Sequence, residues 1–315
     1  MPKVLIADAV SDAAVAVLKK GGVEVEKKTG LTEDQVCAEI GGYEGLIVRS
    51  ATKVTAKVLA AGKKLKIVGR AGAGVDNIDV AAAVKAGVIV ENTPGGNTTS
   101  AGEHAVALMF ALARHVAPAD REMHAGQWPK KGLTGVELTG KTLGLLGLGR
   151  VASVVAKVGR ALDMTVLVFD PYITDARAAE LGTKKVALDD LLVAADFISV
   201  HSPLTPETKH LIGPAQFAKM KKNARLVNAA RGGIVDEAAL LEALKSGKIA
   251  GAALDVFETE PLPADSPFRS LANVVLTPHL GASTEEAQER VAVEIAEQFV
   301  AYFSKGEVRN AVKTN

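Results

Sequence analysis

Short aliphatic runs alternate along this chain with longer segments rich in Ala, Leu, Lys and Glu. Runs of four or five apolar residues between turn formers suit strands buried on both faces, and the intervening stretches suit crossover helices. The pattern therefore reads as βαβ units on parallel sheets. In the first third it predicts strands at Val4–Ala7, Val23–Lys27, Gly45–Val48, Ile67–Gly69 and Val88–Glu91. Helices are predicted between them at Asp12–Lys20, Thr32–Ile40, Thr55–Ala61 and Val80–Ala86. Thr32 and Gln35 have the spacing of a capping box, and Gly62 and Gly87 stand where left-handed residues end helices. Asn92-Thr93-Pro94-Gly95-Gly96-Asn97 is turn chemistry. From Ser100 to Arg114 a helix is apolar on almost every face. That predicts packing in a homodimer or higher homo-oligomer interface, with burial inside its own domain as the alternative. Gly126 to Gly132 reads as a basic loop. A second βαβ series follows, with strands at Thr142–Leu146, Thr165–Phe169, Phe197–Val200, Leu226–Asn228, Gly251–Leu254 and Val274–Leu276, and one amphipathic helix from Glu285 to Phe303.

The length of 315 residues predicts about two domains. Lys plus Arg is 37 against 36 for Asp plus Glu, a net charge of +1, which removes the compositional case for a nucleic-acid partner. Aromatics are 4%, so the core has to be built from Val, Ile, Leu and Ala. The single cysteine, Cys37, lies in a helix-like run and can form neither an internal disulfide nor a thiolate metal cluster. The first apolar run, Lys3 to Asp8, is too short for a secretory segment. No stretch approaches the roughly 18 apolar residues that span a bilayer. A cytoplasmic protein with no membrane and no metal is the expectation.

Gly147-Leu148-Gly149-Arg150-Val151-Ala152 carries the sharpest local signal. It fits G-x-G-x-x-G/A between a predicted strand and the helix-like segment Ser153 to Leu162. Gly147 would permit the tight turn and Gly149 the close approach of backbone to a pyrophosphate. The helix N-terminus would supply amide donors. Ala152 needs only to be small for helix–strand packing. Asp170 lies 170 − 147 = 23 positions on, at the end of the next strand. A carboxylate there accepts from ribose hydroxyls and repels a 2′-phosphate, so the cofactor expected is NAD rather than NADP. The earlier cluster Gly69 to Gly74 has the wrong order for a second fingerprint and reads as a turn whose amides could face a substrate.

Oxidising an alcohol with a nicotinamide needs a proton acceptor and a cation for substrate charge. Among the six histidines, His104, His115 and His124 read as surface or packing residues, and His201 and His210 flank a turn-rich stretch. None has metal-ligand spacing. His279 follows the strand Val274–Leu276, at the carboxyl end where open α/β sheets bind ligands. Four blocks then resemble the D-isomer-specific 2-hydroxyacid dehydrogenases: Gly147 to Ala152, Asn228 to Asp236, Leu254 to Pro261, and Pro278 to Ser283. Arg49, Ser50 and their neighbours, the Gly69 to Asn77 segment and the Asn92 to Asn97 turn are similar to members whose substrate is a three-carbon 2-hydroxy acid with a 3-phosphate. The resemblance covers nearly the whole chain and corresponds to the catalytic core of longer members, without their regulatory domains.

The resemblance implies two doubly wound α/β domains. A Rossmann domain for NAD, residues 98–284, would be inserted in a flavodoxin-like substrate domain of residues 1–97 and 285–315, with the cleft between them closing on NAD and substrate. It implies Arg231 gripping the substrate carboxylate and 2-oxygen, His279 exchanging the hydroxyl proton, and Glu260 holding the other imidazole nitrogen. It places Gly147, Gly149, Arg150, Val151, Asp170, Ser202, Pro203, Ala229, Ala230, Arg231, Asp255, His279, Gly281 and Ala282 at the cofactor. Arg49, Ser50, Arg70, Gly72, Ala73, Gly74 and Asn97 would meet the substrate along with Arg231 and His279. Backbone amides from Ala71 to Gly74 would form an anion nest. Lys130 aligns with a basic residue that reaches the phosphate from a neighbouring subunit. Relatives acting on glyoxylate, hydroxypyruvate or D-lactate remain alternatives, as do corepressors that use this fold to sense NAD. Formate dehydrogenases lack the pairing that Glu260 and His279 suggest.

Overall fold

The computed structural model describes residues 1–312. The chain forms two compact units, Met1–Thr98 with the segment from Ala282 onward, and Thr99–Gly281.

In the first unit the strands are β1 (Lys3–Ile6), β2 (Glu24–Lys27), β3 (Gly45–Val48), β4 (Ile67–Arg70) and β5 (Ile89–Asn92). They pair in the order β2-β1-β3-β4-β5, all in parallel, which is the flavodoxin-like doubly wound order. The crossover helices are α1 (Asp12–Lys20), α2 (Glu33–Glu39), α3 (Ala56–Ala61) and α4 (Val80–Lys85). Each starts at a side-chain cap, from Ser11, Thr32, Thr55 and Asp79, and Thr32 with Gln35 makes the full capping box. Gly87 has the left-handed φ of +71° expected at a helix end. Gly62 does not: its φ is −75°. A Cβ there would lie 2.9 Å from Leu65 Cβ, so this glycine is required by closeness rather than by handedness.

The returning helix Glu285–Lys305 belongs to this unit. Its Val291, Ala292, Ile295, Ala296 and Phe299 pack on Val4, Ile6, Ile47 and Ile67 of the sheet. Gly45 and Gly69 make the contact possible, since a Cβ at either would come within 2.8 Å of the Phe299 ring. After the helix, Ala311 bridges Glu91 in antiparallel sense and the Val312 amide donates to Val90 O, so the tail lies along the edge strand β5.

The second unit opens with α5 (Thr98–Ala113) and α6 (Val116–His124). Its strands are β6 (Thr142–Leu146), β7 (Thr165–Phe169), β8 (Lys184–Lys185), β9 (Phe197–Val200), β10 (Arg225–Asn228), β11 (Gly251–Leu254) and β12 (Val274–Leu276). Between them run α7 (Arg150–Ala161), α8 (Asp175–Glu180), α9 (Leu188–Ala194), α10 (Pro214–Lys219) and α11 (Glu237–Lys245). The parallel order β12-β11-β10-β9-β6-β7-β8 is the Rossmann arrangement with one strand added. Alternate residues feed two cores. Leu143, Leu145, Val166 and Val168 meet α5 and α7, while Leu146, Ile198, Leu226 and Leu254 meet α9, α10 and α11.

The helix α5 buries Ala105, Leu108, Met109, Leu112 and Ala113 in its own unit. Phe110 stays exposed, as do Val116, Met123 and Trp128 beyond it. Intramolecular packing thus accounts for one face of the helix only. The short helix α6 has no counterpart in the sequence pattern. None of its residues is buried, so it carries no inward apolar stripe to read. No helix among the described residues is long and apolar enough to cross a membrane.

Glu91 is fully buried on β5, and its Oε1 accepts the Arg309 amide at 2.5 Å. Its Oε2 has no hydrogen-bond partner among the described residues. Burial pushes this carboxyl up to about 7, against the pull of the Arg309 amide and guanidinium. The folded state therefore keeps a proton that the unfolded chain releases near 4.5. The resulting stabilisation is complete below that pH and is lost as pH rises to about 7. It amounts to about 3 kcal/mol at most. Thermal scans at pH 5 and pH 8 should show Glu91→Gln losing several degrees less than the parent over that interval. Equal losses would mean that this carboxyl ionises in the folded state at its ordinary value, without the upward push of burial.

Candidate active site

The carboxyl end of the seven-stranded sheet collects the polar residues of the second unit. The chain leaves β6 through Gly147, whose φ is +92°. A Cβ at Gly147 would also sit 3.1 Å from both Ser202 N and Ser202 Oγ. Glycine there serves both the left-handed turn and the approach of the loop after β9. Gly149 is the N-cap of α7, and a Cβ on it would meet nothing within 4 Å. The amide end of a twelve-residue helix therefore opens onto unfilled space, with Arg150 and Val151 in its first turn and Ala152 buried against the sheet. That arrangement fits a pyrophosphate.

Asp170 follows β7 and braces the same turn. Its Oδ2 accepts Leu148 N–H at 2.8 Å and its Oδ1 accepts Tyr172 N–H at 2.9 Å. A carboxylate offers about four acceptor sites, so the two amides aim the group and keep capacity for ribose hydroxyls. His201 bonds Ser199 Oγ through Nε2 at 2.9 Å, and desolvation pushes its imidazole down to about 4, so it is neutral near pH 7. Ser202 donates to Leu146 O at 3.0 Å, and Pro203 follows on the exposed side.

After β10, the buried Asn228 shapes the next loop. Its Nδ2 donates to Arg231 O at 3.0 Å and its Oδ1 accepts Ala230 N–H at 3.2 Å, which fixes Ala229 to Arg231. Arg231 is half-buried and donates to Ala230 O at 2.7 Å. The next residue, Gly232, lies directly on the backbone of the loop after β11: a Cβ would be 1.8 Å from Phe257 O. The arginine loop and the Glu260 loop are thereby locked together. Glu260 Oε1 accepts Phe257 N–H at 3.0 Å. The same loop is tied to α11, where Glu258 N–H donates to Glu237 Oε1 at 2.6 Å, and to His210, whose Nε2 lies 3.1 Å from Glu258 Oε1.

Glu260 Oε2 lies 2.8 Å from His279 Nδ1. A carboxylate only accepts, so Nδ1 carries the proton and Nε2 is left as the basic nitrogen. His279 has a φ of +56°, a conformation that costs of order 1–3 kcal/mol and persists only when its surroundings hold it. Its amide donates to Asp255 O at 2.8 Å. Asp255, expected among the cofactor contacts, is fully buried and anchors the histidine loop. Its Oδ1 accepts Thr277 Oγ1 at 2.6 Å and Leu280 N–H at 2.7 Å, its Oδ2 accepts Gly281 N–H at 2.9 Å, and His104 Nε2 lies 3.1 Å from Oδ1. Burial pushes Asp255 up, but the bonds from His104, Thr277 and Leu280 outweigh it and hold the carboxyl below its ordinary range.

The remaining expected residues, Arg49, Ser50, Arg70, Gly72, Ala73, Gly74, Asn97 and Ala282, belong to the first unit. Arg49 follows β3 and Arg70 ends β4, next to Val48 in register. Arg49 donates to Ala9 O at 3.2 Å and Arg70 Nε to Asn77 Oδ1 at 3.0 Å. Asn77 donates in turn to Arg49 O at 2.7 Å and Thr52 O at 2.6 Å, and Asp8 takes the Arg49 and Thr52 amides. Asp8 and Asn77 thus fix the two arginine loops, a role that no local motif marks. The anion nest expected from Ala71 to Gly74 is smaller than the sequence suggests. Ala71 N donates to Val48 O and Gly72 N to Arg70 O, so the nest is reduced to Ala73 and Gly74.

Comparison with known proteins agrees with this geometry. Residues 106–281 match the profile of the D-isomer specific 2-hydroxyacid dehydrogenase, NAD binding domain. A relative from Archaeoglobus fulgidus named D-3-phosphoglycerate dehydrogenase is 53% identical over 310 residues, covering 98% of this chain and 59% of that protein. One of the same name from Synechocystis is 50% identical over 298 residues, covering 95% of this chain and 53% of that protein. The chain therefore spans little more than half the length of these relatives. A solved structure from Thermus thermophilus superposes with a TM-score of 0.91 at 35% identity, over 99% of this chain and all of that one. The chain belongs to the D-isomer-specific 2-hydroxyacid dehydrogenase family, and its second unit carries that family's NAD-binding domain.

Two glycines of this site separate structure from binding. Gly232→Ala should cost about 1–3 kcal/mol through overpacking and lower the thermal midpoint by several degrees. Gly149→Ala should leave the midpoint within about 1 °C and weaken NAD in a titration instead. If both lose stability alike, Gly149 does not mark cofactor space.

Proposed function

We propose that the chain oxidises 3-phospho-D-glycerate to 3-phosphohydroxypyruvate with NAD⁺, the first step of the phosphorylated route to serine, in the cytoplasm. The observation that carries the chemistry is the Glu260–His279 pair at 2.8 Å, on loops locked to Arg231 through Gly232. Bound NAD⁺ supplies the hydride acceptor. The chain's own residues manage charge and proton: Arg231 holds the substrate carboxylate and 2-oxygen by a charge-assisted fork. His279 Nε2 accepts the hydroxyl proton as C2 is oxidised, and returns it in the reverse direction. Glu260 fixes the tautomer and balances the imidazolium. Gly147, Gly149, Arg150 and Val151 hold the pyrophosphate, and Asp170 selects NAD over NADP. Ser202, Pro203, Ala229, Ala230, Gly281 and Ala282 complete the cofactor contacts.

The phosphate assignment is supported by the relatives at about half identity that carry the phosphoglycerate name, and by the two arginines at neighbouring strand ends of the first unit. Arg49, Arg70 and Asn97, with Ser50 and the amides of Ala73 and Gly74, would receive the phosphate and carboxylate of the substrate. The bond from Arg70 Nε to Asn77 Oδ1 aims its guanidinium.

A panel of 2-hydroxy and 2-oxo acids with NAD(H) and NADP(H) tests this reading. The 3-phosphorylated substrate should exceed D-glycerate by more than about a hundredfold in kcat/KM, from roughly 3 kcal/mol of charge-assisted contact. Arg70→Ala should erase most of that preference while sparing unphosphorylated 2-oxo acids. Comparable activity on glyoxylate, hydroxypyruvate or D-lactate would point to another dehydrogenase of the family, and no turnover on any 2-hydroxy acid would favour an NAD-sensing interaction protein.

The exposed Phe110, Val116, Met123 and Trp128 support a homodimer or higher homo-oligomer, in which Lys130 would serve a neighbouring subunit's phosphate site. Light scattering at micromolar protein should give at least twice the mass of one chain. A monomer would exclude any role for Lys130 across subunits.

A further inference from the structure

His104 lies on α5, 151 positions before the buried carboxylate that it meets (255 − 104). Its Nε2 is 3.1 Å from Asp255 Oδ1 and 3.2 Å from Thr277 Oγ1. The single hydroxyl hydrogen of Thr277 is committed to Asp255 at 2.6 Å. Thr277 Oγ1 can therefore only accept from the imidazole, so the proton of His104 is on Nε2 and is shared between the two oxygens. Three residues earlier on the same helix, Ala101 faces Gly281, and a Cβ on that glycine would lie 3.8 Å from Ala101 Cβ. One face of α5 thus supports the segment Thr277 to Gly281 at both ends.

We infer that His104 is a positioning residue for the proton-exchanging His279, acting through Asp255. The Asp255 side chain is 1% exposed, and its oxygens hold the amides of Leu280 and Gly281, the two residues that follow His279. Those bonds, with the His279 amide on Asp255 O, constrain a histidine whose own backbone conformation is unfavourable. A buried carboxylate that loses a donor recruits another or takes up a proton. Either change slackens the amides that aim His279 at Glu260. His104 touches neither the reacting atoms nor the glycine turn after β6, and Gly281 bonds the carboxylate oxygen that His104 does not meet, so its effect should fall on turnover more than on binding.

The inference rests on the proposed role of His279, and the test separates the two. His104→Leu removes the donor at similar volume, and His104→Gln restores an N–H near the Nε2 position. His104→Leu should lower kcat by about tenfold to a hundredfold, with KM for NAD and for the hydroxy acid changed by less than about threefold. Amide exchange at Leu280 and Gly281, read by NMR on the unliganded protein, should quicken by about tenfold or more. His104→Gln should bring both readouts back to within about threefold of the parent. Should the leucine variant not fold, His104→Asn, whose amide is one bond too short, replaces it with the same expectation. Unchanged kcat and exchange in the donor-less variant would overturn the inference. So would a glutamine variant as impaired as leucine, because shape rather than the donor would then matter. If no variant and no parent protein turns over any 2-hydroxy acid, the functional reading fails, and the exchange rates still decide whether His104 holds the loop.

Discussion

Parallel strand pairing is the constraint from which this molecule follows. Each strand of a parallel sheet must be followed by a crossover, so every strand end of one kind lies along one edge of the sheet. In the second unit the loops leaving β6, β7, β9, β10, β11 and β12 carry Gly147, Asp170, Ser202, Arg231, Glu260 and His279 in chain order. Residues spread over more than a hundred positions are neighbours because the sheet leaves their loops no other edge. The same geometry in the first unit sets Arg49 and Arg70 on adjacent strand ends.

An edge of loops is not yet a site, because loops are the least constrained part of a fold. Here the fastening is done by buried and half-buried polar side chains at or beyond the strand ends. Asn228 clamps the arginine loop and Asp255 the histidine loop, while Asp8 and Asn77 do the same in the first unit. Each uses both ends of an amide or both oxygens of a carboxylate, so no costly unpaired group is left behind. Backbone contact supplies the rest, as where Gly232 lies on Phe257. Precision at the exposed Glu260–His279 pair is thus maintained by groups one layer below it.

The strands were legible because a parallel sheet covered on both faces makes its strands short and uniformly apolar. Six of them, from Gly45–Val48 to Val274–Leu276, have the bounds that the apolar runs suggest. The strand β8 left no such trace, since it is two lysines at an edge. Helix α6 was equally silent for want of a buried face. The glycine turn, Asp170 and the Glu260–His279 association could be set out from motifs, although the last rested on family resemblance and not on spacing. His104 could not. Its partner is distant in sequence, and a single polar contact has no period, so on an apolar helix it reads as a packing residue.

The five-stranded sheet of the first unit has two outer strands, and each is kept from pairing with foreign backbone by a different means. On β2, the sequence Glu24-Val25-Glu26-Lys27 places charge along the border. On β5, Ile89-Val90-Glu91-Asn92 has no such charged fringe, and the tail lies on it through Ala311 and Val312. An uncovered apolar border strand is a template for aggregation. Ala311 and Val312 therefore act as a solubility device, and a fusion or cleavage that lifts them would be felt first as self-association and only later as lost chemistry.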